Sequence, residues 1–226
     1  MSTTMVLTVR DVGRMPYAEA LELQYRLVEQ RRAEQSRDTL LLVEHPPVIT
    51  MGRKATDGDI IASRAELEEA GVEVHRITRG GEATYHGPGQ IVGYTIVNLA
   101  AHQRRVRLFV ERMEEVFVRL LARFYGIAAE RDDAHRGVWV GDCKITAIGI
   151  AITRAITMHG FAFNVCPDLS HFDWIVPCGI RDRGVTSLER LLARKPDMET
   201  VKDQVVSSFC EVYGYTPSGD GVGRLS

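Results

Sequence analysis

One cysteine of this chain stands in a setting suited to nucleophilic chemistry. Cys178 lies between Pro177 and Gly179, in a predicted loop ahead of a helix start. A thiol in such a loop can be exposed to a substrate, and a backbone N–H there can face a developing oxyanion. The other cysteines are interpreted as structural, because they fall in a predicted hairpin, at a strand end and in a helix: Cys143, Cys166 and Cys210. Cys178 is therefore the best candidate for a nucleophile.

A nucleophilic cysteine needs a cation or a base beside it near neutral pH. A free thiol is only a few per cent ionised at pH 7, and half ionisation requires a pKa shift of about 1.5 units, or roughly 2 kcal/mol. Lys144 lies among apolar residues in KITAIGIAI, a setting that favours a perturbed or paired charge. A strand lysine that reaches out to solvent would give the same pattern. Three histidines are competing bases for a Cys–His pair: His45, His86 and His159.

The stretch RGGEATYHGPGQ, residues 79–90, has the composition of a ligand-lining loop. Glycine lets another group approach the main chain closely, and Arg79, Tyr85 and His86 supply polar groups. The spacing matches neither a Walker A loop nor a dinucleotide-binding GxGxxG motif, so a nucleotide site is not favoured. A plain hairpin loop explains the glycines about equally well. We interpret the stretch as a loop between two strands.

The strands that must position these residues cluster in the middle of the chain. Apolar β-rich runs predict strands at TLLLVEH, VITMG, VEVHRIT, QIVGYTIVNL and MHGFAFNV, and a hairpin in GVWVGDCKITAIGIAIT. With helices flanking these runs, the pattern predicts an α+β (α/β) fold. We expect a single catalytic domain over residues 1–226, with a mixed, mostly antiparallel sheet that helices cover mainly on one side. Residues 216–226 are expected to form a disordered tail.

The helices are predicted from apolar spacing and from capping residues. Amphipathic helices are expected in YAEALELQYRLVEQ, in the segment from Leu108 to Phe124, and in METVKDQVVSSFCEVYG after a capping Asp197. Capping-box pairs predict two further short helices, one beginning at Ser63 with Glu66 and the other at Thr186 with Glu189.

Composition excludes several function classes. The 28 basic and 30 acidic residues leave a formal charge of −2, so nothing global attracts nucleic acid or an anionic membrane. The cysteines lie too far apart for a CxxC pair, which disfavours a zinc site or a thioredoxin-like motif. The sequence shows neither an apolar core of signal-peptide length at its start nor an apolar run long enough to cross a membrane. A cytoplasmic protein with free thiols is expected.

Several blocks of the sequence resemble one known family. RGGEATYHGPGQIVGY is similar to the signature of the lipoyl(octanoyl) transferases, and LLLVEHPPVITMG, GVWVGDCKITAIGI, HGFAFNV, DLSHFDWIVPCGI and VTSL follow the family's order. The resemblance covers about residues 15–195. It implies an octanoyl-[acyl-carrier-protein]:protein N-octanoyltransferase that acts first in endogenous protein lipoylation. It also implies a fold similar to the catalytic domain of biotin and lipoate protein ligases.

The resemblance also implies a site. The family's acyl-accepting cysteine falls on Cys178 and its partner lysine on Lys144. From their residue type alone, His45 and His159 are kept as candidates for assisting groups. The family's substrate-binding segments fall on Arg79, Gly80, Gly81, Glu82, Ala83, Thr84, Tyr85, His86, Ala147, Ile148, Gly149, Gly160, Phe161 and Ala162. A cysteine thioester would receive the octanoyl group, and no ATP or metal would be needed.

The implied partners are octanoyl-acyl carrier protein as donor and, as acceptors, lipoyl domains of 2-oxoacid dehydrogenase complexes and the glycine cleavage H protein. Because acyl carrier proteins are acidic, docking should use a basic patch, with Arg104, Arg105 and Arg107, or Arg181 and Arg183, as candidates unless these arginines are simply solvated. Three alternatives stay open: an ATP-dependent lipoate or biotin ligase, a cysteine thioesterase, and a non-catalytic binder of lipoyl domains.

Overall fold

A mixed β-sheet forms the centre of the fold in the computed structural model, which describes residues 5–102, 104–176 and 183–218. The strands of the molecule, numbered along the chain, are β1 (Met5–Arg14), β2 (Asp38–Glu44), β3 (Val48–Met51), β4 (Glu73–Arg76), β5 (Ala83–His86), β6 (Gln90–Ile96), β7 (Glu130–Arg131), β8 (Val138–Val140), β9 (Cys143–Thr153), β10 (Ile156–Asn164), β11 (Gly184–Val185) and β12 (Tyr215–Ser218). The helices are α1 (Tyr17–Arg32), α2 (Arg64–Glu69), α3 (Val106–Tyr125), α4 (Leu188–Leu192) and α5 (Met198–Tyr213).

The central sheet has the spatial order β12-β1-β2-β6-β10-β9-β8-β7, and β11 pairs with β9. The pairs β12–β1, β1–β2 and β11–β9 are parallel, and the remaining pairs are antiparallel. The prediction of an α+β domain with a mixed, mostly antiparallel sheet is confirmed. Its N-terminal strand β1 was not anticipated from the sequence.

Both faces of the central sheet are covered, so the expectation of one-sided cover is wrong. Alternate residues of β2 supply two separate cores: Leu40 and Leu42 pack with α3 and α5, whereas Leu41 and Val43 pack with α1. The reason is visible in β2 itself, where DTLLLV is a continuous buried run rather than an alternation of apolar and polar residues. Such a run is typical of a strand that lies between two layers.

A second sheet, with the order β4-β3-β5, stands beside the central one. After Pro46 and Pro47 the chain leaves β2 and enters β3, which pairs with β5 in the antiparallel sense. The interpretation of residues 79–90 as a loop is therefore wrong in its centre, since Ala83–His86 form β5. Its pairing partner, Val48–Met51, is distant in sequence and gives no local signal.

Most predicted helix starts are confirmed by their capping contacts. The Ser63 hydroxyl accepts from the Glu66 amide, and the Asp197 carboxylate accepts from the Thr200 amide. The cap predicted at Thr186 is wrong: Ser187 caps α4, because the Thr186 amide instead donates to the carbonyl of Lys144. No helix in the described parts of the chain combines the length and hydropathy needed to span a bilayer.

The C-terminal segment is ordered where the structure describes it. Residues 216–218 belong to β12, which pairs with β1, so the expectation of disorder is wrong for them. The Tyr215 hydroxyl fixes the start of β12 by donating to Asp38 at 2.7 Å. Residues 219–226 lie outside the described residues.

Candidate active site

A cavity of about 300 Å³ opens between the two sheets, near the lower end of the usual range for small-molecule sites. The central sheet contributes β6, β9 and β10, and the second sheet contributes β5 with the residues before it. The predicted residues that line it are Arg79, Gly80, Gly81, Glu82, Thr84, His86, Lys144, Ala147, Ile148, Gly149, His159, Gly160, Phe161 and Ala162. The structure thus brings together segments that lie far apart in the sequence.

Three predicted residues do not line this cavity. Side chains alternate along β5, so Thr84 and His86 face the cavity while Ala83 and Tyr85 pack into a separate apolar core. The Tyr85 hydroxyl lies 2.7 Å from Nδ1 of His171. His45 is also absent from the lining.

Close backbone approach explains two of the glycines in the wall. A Cβ on Gly149 would lie 2.9 Å from the carbonyl oxygen of Gly80, and one on Gly160 would lie 2.2 Å from that of Gly93. Real Cβ atoms do not come so close, so larger residues would push the strands or the loop apart. The Gly80 amide donates to the carbonyl of Ile150 at 3.0 Å, which holds the two sheets together at this point.

Arg79 is a buried cation on the second-sheet side of the cavity. Its Nη2 donates to the carbonyl oxygen of Thr50 at 2.6 Å and to the Thr50 hydroxyl at 2.9 Å, and its Nη1 donates to the carbonyl of Gly80 at 3.0 Å. Such planar, multiply bonded geometry is the kind that arginine supplies and lysine does not. The result is a fixed positive charge beside the cavity.

His86 is held neutral beside this charge. Burial is the main reason that its pKa lies well below the usual value, and His45 and Arg79 lower it further. Because the Thr50 hydroxyl accepts from Arg79, its proton is directed to Nε2 of His86 at 3.3 Å, and Nδ1–H then donates to Gln90 at 3.1 Å. Both ring nitrogens are therefore engaged.

His159 differs because one of its ring nitrogens is unengaged. Its Nε2 is buried and has no hydrogen-bond partner among the described residues, and its backbone has a left-handed φ of 59° within β10. Burial, and then Arg79, lower its pKa to about 4. A residue held in such a backbone conformation marks a place where local strain is tolerated. His159 thus lines the cavity as a neutral imidazole with a ring nitrogen that the described part of the chain leaves unpartnered.

His45 lies behind the cavity wall. Its Nδ1 donates to the carbonyl of Met15 at 2.8 Å, and its Nε2 accepts from the hydroxyl of Tyr94 at 2.7 Å. Burial is the main reason that its pKa is lowered to about 4. It orients Tyr94, which does line the cavity.

Lys144 is a buried cation on the central-sheet side. Its side chain is only 6% exposed, so a lysine that reaches out to solvent is excluded. Nζ donates to the carbonyl of Arg136 at 3.1 Å and lies 4.8 Å from the ring centre of Trp139. Among the described residues no carboxylate lies within ion-pair distance of it. Lys144 is thus a buried residue of the cavity lining whose ammonium has few partners among the described residues.

Cys178 and Arg181 lie outside the described residues. The next described residue is Arg183, whose guanidinium lies 3.8 Å from the ring centre of Trp139 and pairs with Asp132. Directly after it, β11 runs parallel to β9, with Val185 opposite Lys144. The next described strand after Cys178 in the sequence is therefore paired with the strand that carries Lys144.

The candidate docking arginines fall into two groups. Arg104 and Arg105 are exposed. Arg107 pairs with Glu111 at 2.8 Å on α3, and Arg183 is occupied as described above. The first group is the better placed to meet a partner.

Other cavity residues were not anticipated from the sequence: Tyr17, Lys54, Ile77, Val92, Tyr94, Val110, Ala134, His135, Arg136 and Ile150. Tyr17 is the first residue of α1, and its buried hydroxyl has no partner among the described residues. The available signal in the sequence was a tyrosine on the apolar side of a helix, because a buried tyrosine hydroxyl normally has a hydrogen-bond partner.

The charges on the cavity wall are mainly positive: Lys54, Arg79, Arg136 and Lys144, with Glu82 as an acidic group. Within the described ranges no group of three or more His, Cys, Asp or Glu side chains could hold a metal ion. Cations of this kind stabilise a thiolate or an oxyanion.

Sequence comparison matches the chain to a known family of proteins. The family described as lipoyl protein ligase A/B catalytic domain matches residues 16–210. The chain is 50% identical to an octanoyltransferase of Alkaliphilus metalliredigens over 93% of its own length and 97% of that protein. It is 51% identical to an octanoyltransferase of Caldicellulosiruptor saccharolyticus over 93% of its own length and 90% of that protein.

Solved structures support the same fold. A bipartite lipoate protein ligase from Thermoplasma acidophilum superposes with a TM-score of 0.74 at 16% identity, covering 96% of this chain and 87% of that one. The biotin protein ligase from Aquifex aeolicus gives 0.54 at 13% identity, covering 92% and 70%. At such identities the likeness concerns the fold alone.

Proposed function

The chain belongs to the family of lipoyl protein ligase A/B catalytic domains, and from that membership we infer that it is an octanoyltransferase. It is an acyltransferase of protein lipoylation, in which an octanoyl group passes from an acyl donor to the lysine of a lipoyl domain. Acyl transfer of this kind requires a site that excludes water, holds an apolar chain and moves a proton.

We propose that the acyl group passes through Cys178. Its thiolate attacks the thioester carbonyl of the donor, a new thioester forms at Cys178, and the donor's thiol leaves with a proton from the Lys144 ammonium. The lysine amine of the acceptor then attacks this acyl-enzyme. Its proton goes to the Lys144 amine, an amide forms, and the Cys178 thiolate is released. The two half-reactions follow ping-pong order, and each returns Lys144 to the state that the other needs.

The single observation that carries this proposal is the setting of Lys144. Lys144 is a buried residue of the cavity lining, and its ammonium has a neutral carbonyl as partner rather than a carboxylate, so its charge is available to a thiolate. The parallel pairing of β11 with β9 puts Val185 opposite Lys144, and β11 is the next described strand after Cys178 in the sequence. His159 is the second candidate for moving a proton, because its Nε2 accepts from no described residue.

The proposed donor is octanoyl-acyl carrier protein, and the proposed acceptors are lipoyl domains of 2-oxoacid dehydrogenase complexes and the glycine cleavage H protein. The exposed pair Arg104 and Arg105 fits an acidic carrier surface. We propose a cytoplasmic reaction that uses neither ATP nor a metal, since the energy of the donor thioester is retained in the acyl-enzyme.

Intact-protein mass measurement after mixing with octanoyl-acyl carrier protein tests the proposal. We expect a covalent increment of one octanoyl group in the wild type, none in Cys178→Ala, and its disappearance when a lipoyl domain is added. Cys210→Ala is the matched control, because that thiol is buried and burial raises its pKa to about 11. Absence of the increment in the wild type contradicts the mechanism. Octanoylation that requires free octanoate and ATP would favour a ligase, and release of octanoate to water would favour a thioesterase.

A further inference from the structure

The Lys144 side chain contacts one short backbone segment, residues 136–137. Nζ donates to the carbonyl of Arg136 at 3.1 Å. The next residue, Gly137, lies against the lysine side chain, since a Cβ there would lie 3.3 Å from Cε of Lys144 and 2.5 Å from the carbonyl oxygen of Thr146. A displacement of residues 136–137 would therefore move the ammonium.

This segment is held by a carboxylate that the proposed chemistry does not use. Glu114, on α3, is 0% exposed. One of its oxygens accepts from the Gly137 amide at 3.0 Å, and the other pairs with Nη1 of Arg136 at 3.3 Å. Its two oxygens thus bind two consecutive residues, Arg136 and Gly137, that contact the Lys144 side chain.

Burial of such a group is costly, which argues for a purpose beyond packing. Desolvation raises the pKa of Glu114, while the Gly137 amide and Arg136 act in the opposite direction. Glu114 follows Val110 and precedes Phe117 on the inward stripe of α3, where an apolar side chain would fill the same space without that cost. The carboxylate offers what an apolar residue cannot, a fixed pair of acceptors.

We infer that Glu114 is a positioning residue for Lys144, acting through the peptide that joins Arg136 to Gly137. The inference rests on the proposed role of Lys144 in proton transfer. Without the carboxylate, the Arg136 carbonyl is no longer fixed, and the ammonium loses its alignment with the reacting thiol. Misplacement of a reacting group by about 1 Å costs on the order of 100-fold in rate.

Single-turnover acylation by octanoyl-acyl carrier protein measures this directly. We expect Glu114→Leu to slow acylation about 100-fold and Glu114→Gln, which keeps an acceptor for Gly137, about 10-fold, with KM changed less than about two-fold. Glu115→Gln is the matched control, since the neighbouring carboxylate pairs with Arg119 on the helix surface and should leave the rate unchanged. Glu114→Gln keeps the test valid if the leucine variant fails to fold.

A double-mutant cycle separates positioning from a general structural effect. In a Lys144→Ala background, Glu114→Gln should change the residual rate less than about two-fold, because no ammonium remains to be aligned. The same 10-fold loss in both backgrounds would overturn the inference while leaving the role of Lys144 intact. Full activity of Lys144→Ala alone would instead refute the proposed mechanism, and the inference with it.

Discussion

Arg79 and Lys144 are both buried cations on the wall of one cavity, but the protein holds them differently. Arg79 donates to two carbonyl oxygens and a hydroxyl, and its charge adds to burial, the main cause, in lowering the pKa values of His86 and His159. Lys144 has the Arg136 carbonyl and an aromatic ring as its partners among the described residues. The Arg79 charge is therefore fixed in place by hydrogen bonds, whereas the Lys144 charge remains available to interact with a substrate or a thiolate.

The difference separates two tasks that a single site must perform. A preorganised charge stabilises a polarised carbonyl without moving, whereas a group that gives and takes a proton must change its own charge during the cycle. Extensive hydrogen bonding to the charged form would oppose that change. The side chains on the two walls therefore should respond to substitution in opposite ways.

Removal of the Lys144 ammonium should have the largest effect. Lys144→Met is expected to reduce kcat/KM about 1,000-fold, the usual size of a lost proton-transfer group, and to leave thermal stability nearly unchanged or improved. Stopped-flow acylation and a melting curve measure the two quantities. Lys144→Arg serves as a control for charge, because guanidinium does not release its proton; a fully active arginine variant would contradict the proton-transfer role.

Acid should destabilise the folded protein through its buried histidines. His45 and His159 have pKa values of about 4 in the folded protein and about 6.5 when unfolded, so the unfolded state binds more protons between these values. Stability is fully present above pH 6.5 and is lost as the pH falls toward 4, by about 3 kcal/mol per histidine. Urea unfolding at several pH values measures the slope. His45→Gln should flatten it, and an unchanged slope would contradict the assignment.

Arg79 should matter more for stability than for chemistry. Arg79→Met leaves buried acceptors without donors, and we expect a loss of about 3 kcal/mol in unfolding free energy. The rate of the chemical step, measured at saturating donor, should fall less than in the Lys144 variant. If Arg79→Met kept full stability but lost activity like Lys144→Met, the contrast between the two cations would be wrong.

The close contact between Gly149 on β9 and Gly80 on the second-sheet side can be tested by adding one methyl group. In Gly149→Ala the new Cβ would press on the carbonyl of Gly80, and we expect a cost of about 1 to 3 kcal/mol together with a raised KM for the acyl donor. Gly58→Ala is the matched control, because its Cβ would meet only the Thr56 hydroxyl at 3.7 Å. Equal effects from the two substitutions would show that the close approach is unimportant.

The smallest effect is expected at the docking surface. Arg105→Glu should raise KM for octanoyl-acyl carrier protein a few-fold at low salt, corresponding to about 1 kcal/mol, and the effect should fade at high salt. Arg26→Glu, on α1 and so on the opposite face of the central sheet, is the control. An unchanged KM for Arg105→Glu would remove this arginine from the docking surface.

Local patterns predicted much of the fold, and the failures have a common cause. The hairpin of β8 and β9, the helix ended by Gly126 and the cap at Asp197 depend on neighbouring residues, so the sequence shows them. The strand β5 and the placement of Tyr85 depend on pairing with β3, which no nearby residue reveals.

The candidate site divides in the same way. The resemblance named most of the cavity lining, and the structure brings those residues together, although their roles stay predictions. Glu114 was missed because a carboxylate at an interior helix position is usually solvated. Its place on the same stripe as Phe117 and Leu121 was the signal that it points inward.

The second sheet has its own apolar core, formed by Ile49, Leu67, Val72, Ala83, Tyr85, Phe172 and Ile175. The hydrogen bond from the Gly80 amide to the Ile150 carbonyl is a point of attachment between the residues before β5 and β9. The length of acyl chain that the cavity accepts would then depend on the spacing between the two sheets rather than on any one side chain. Substitutions that alter selectivity for acyl-chain length would then be expected where the two sheets meet, including at positions that do not contact the substrate.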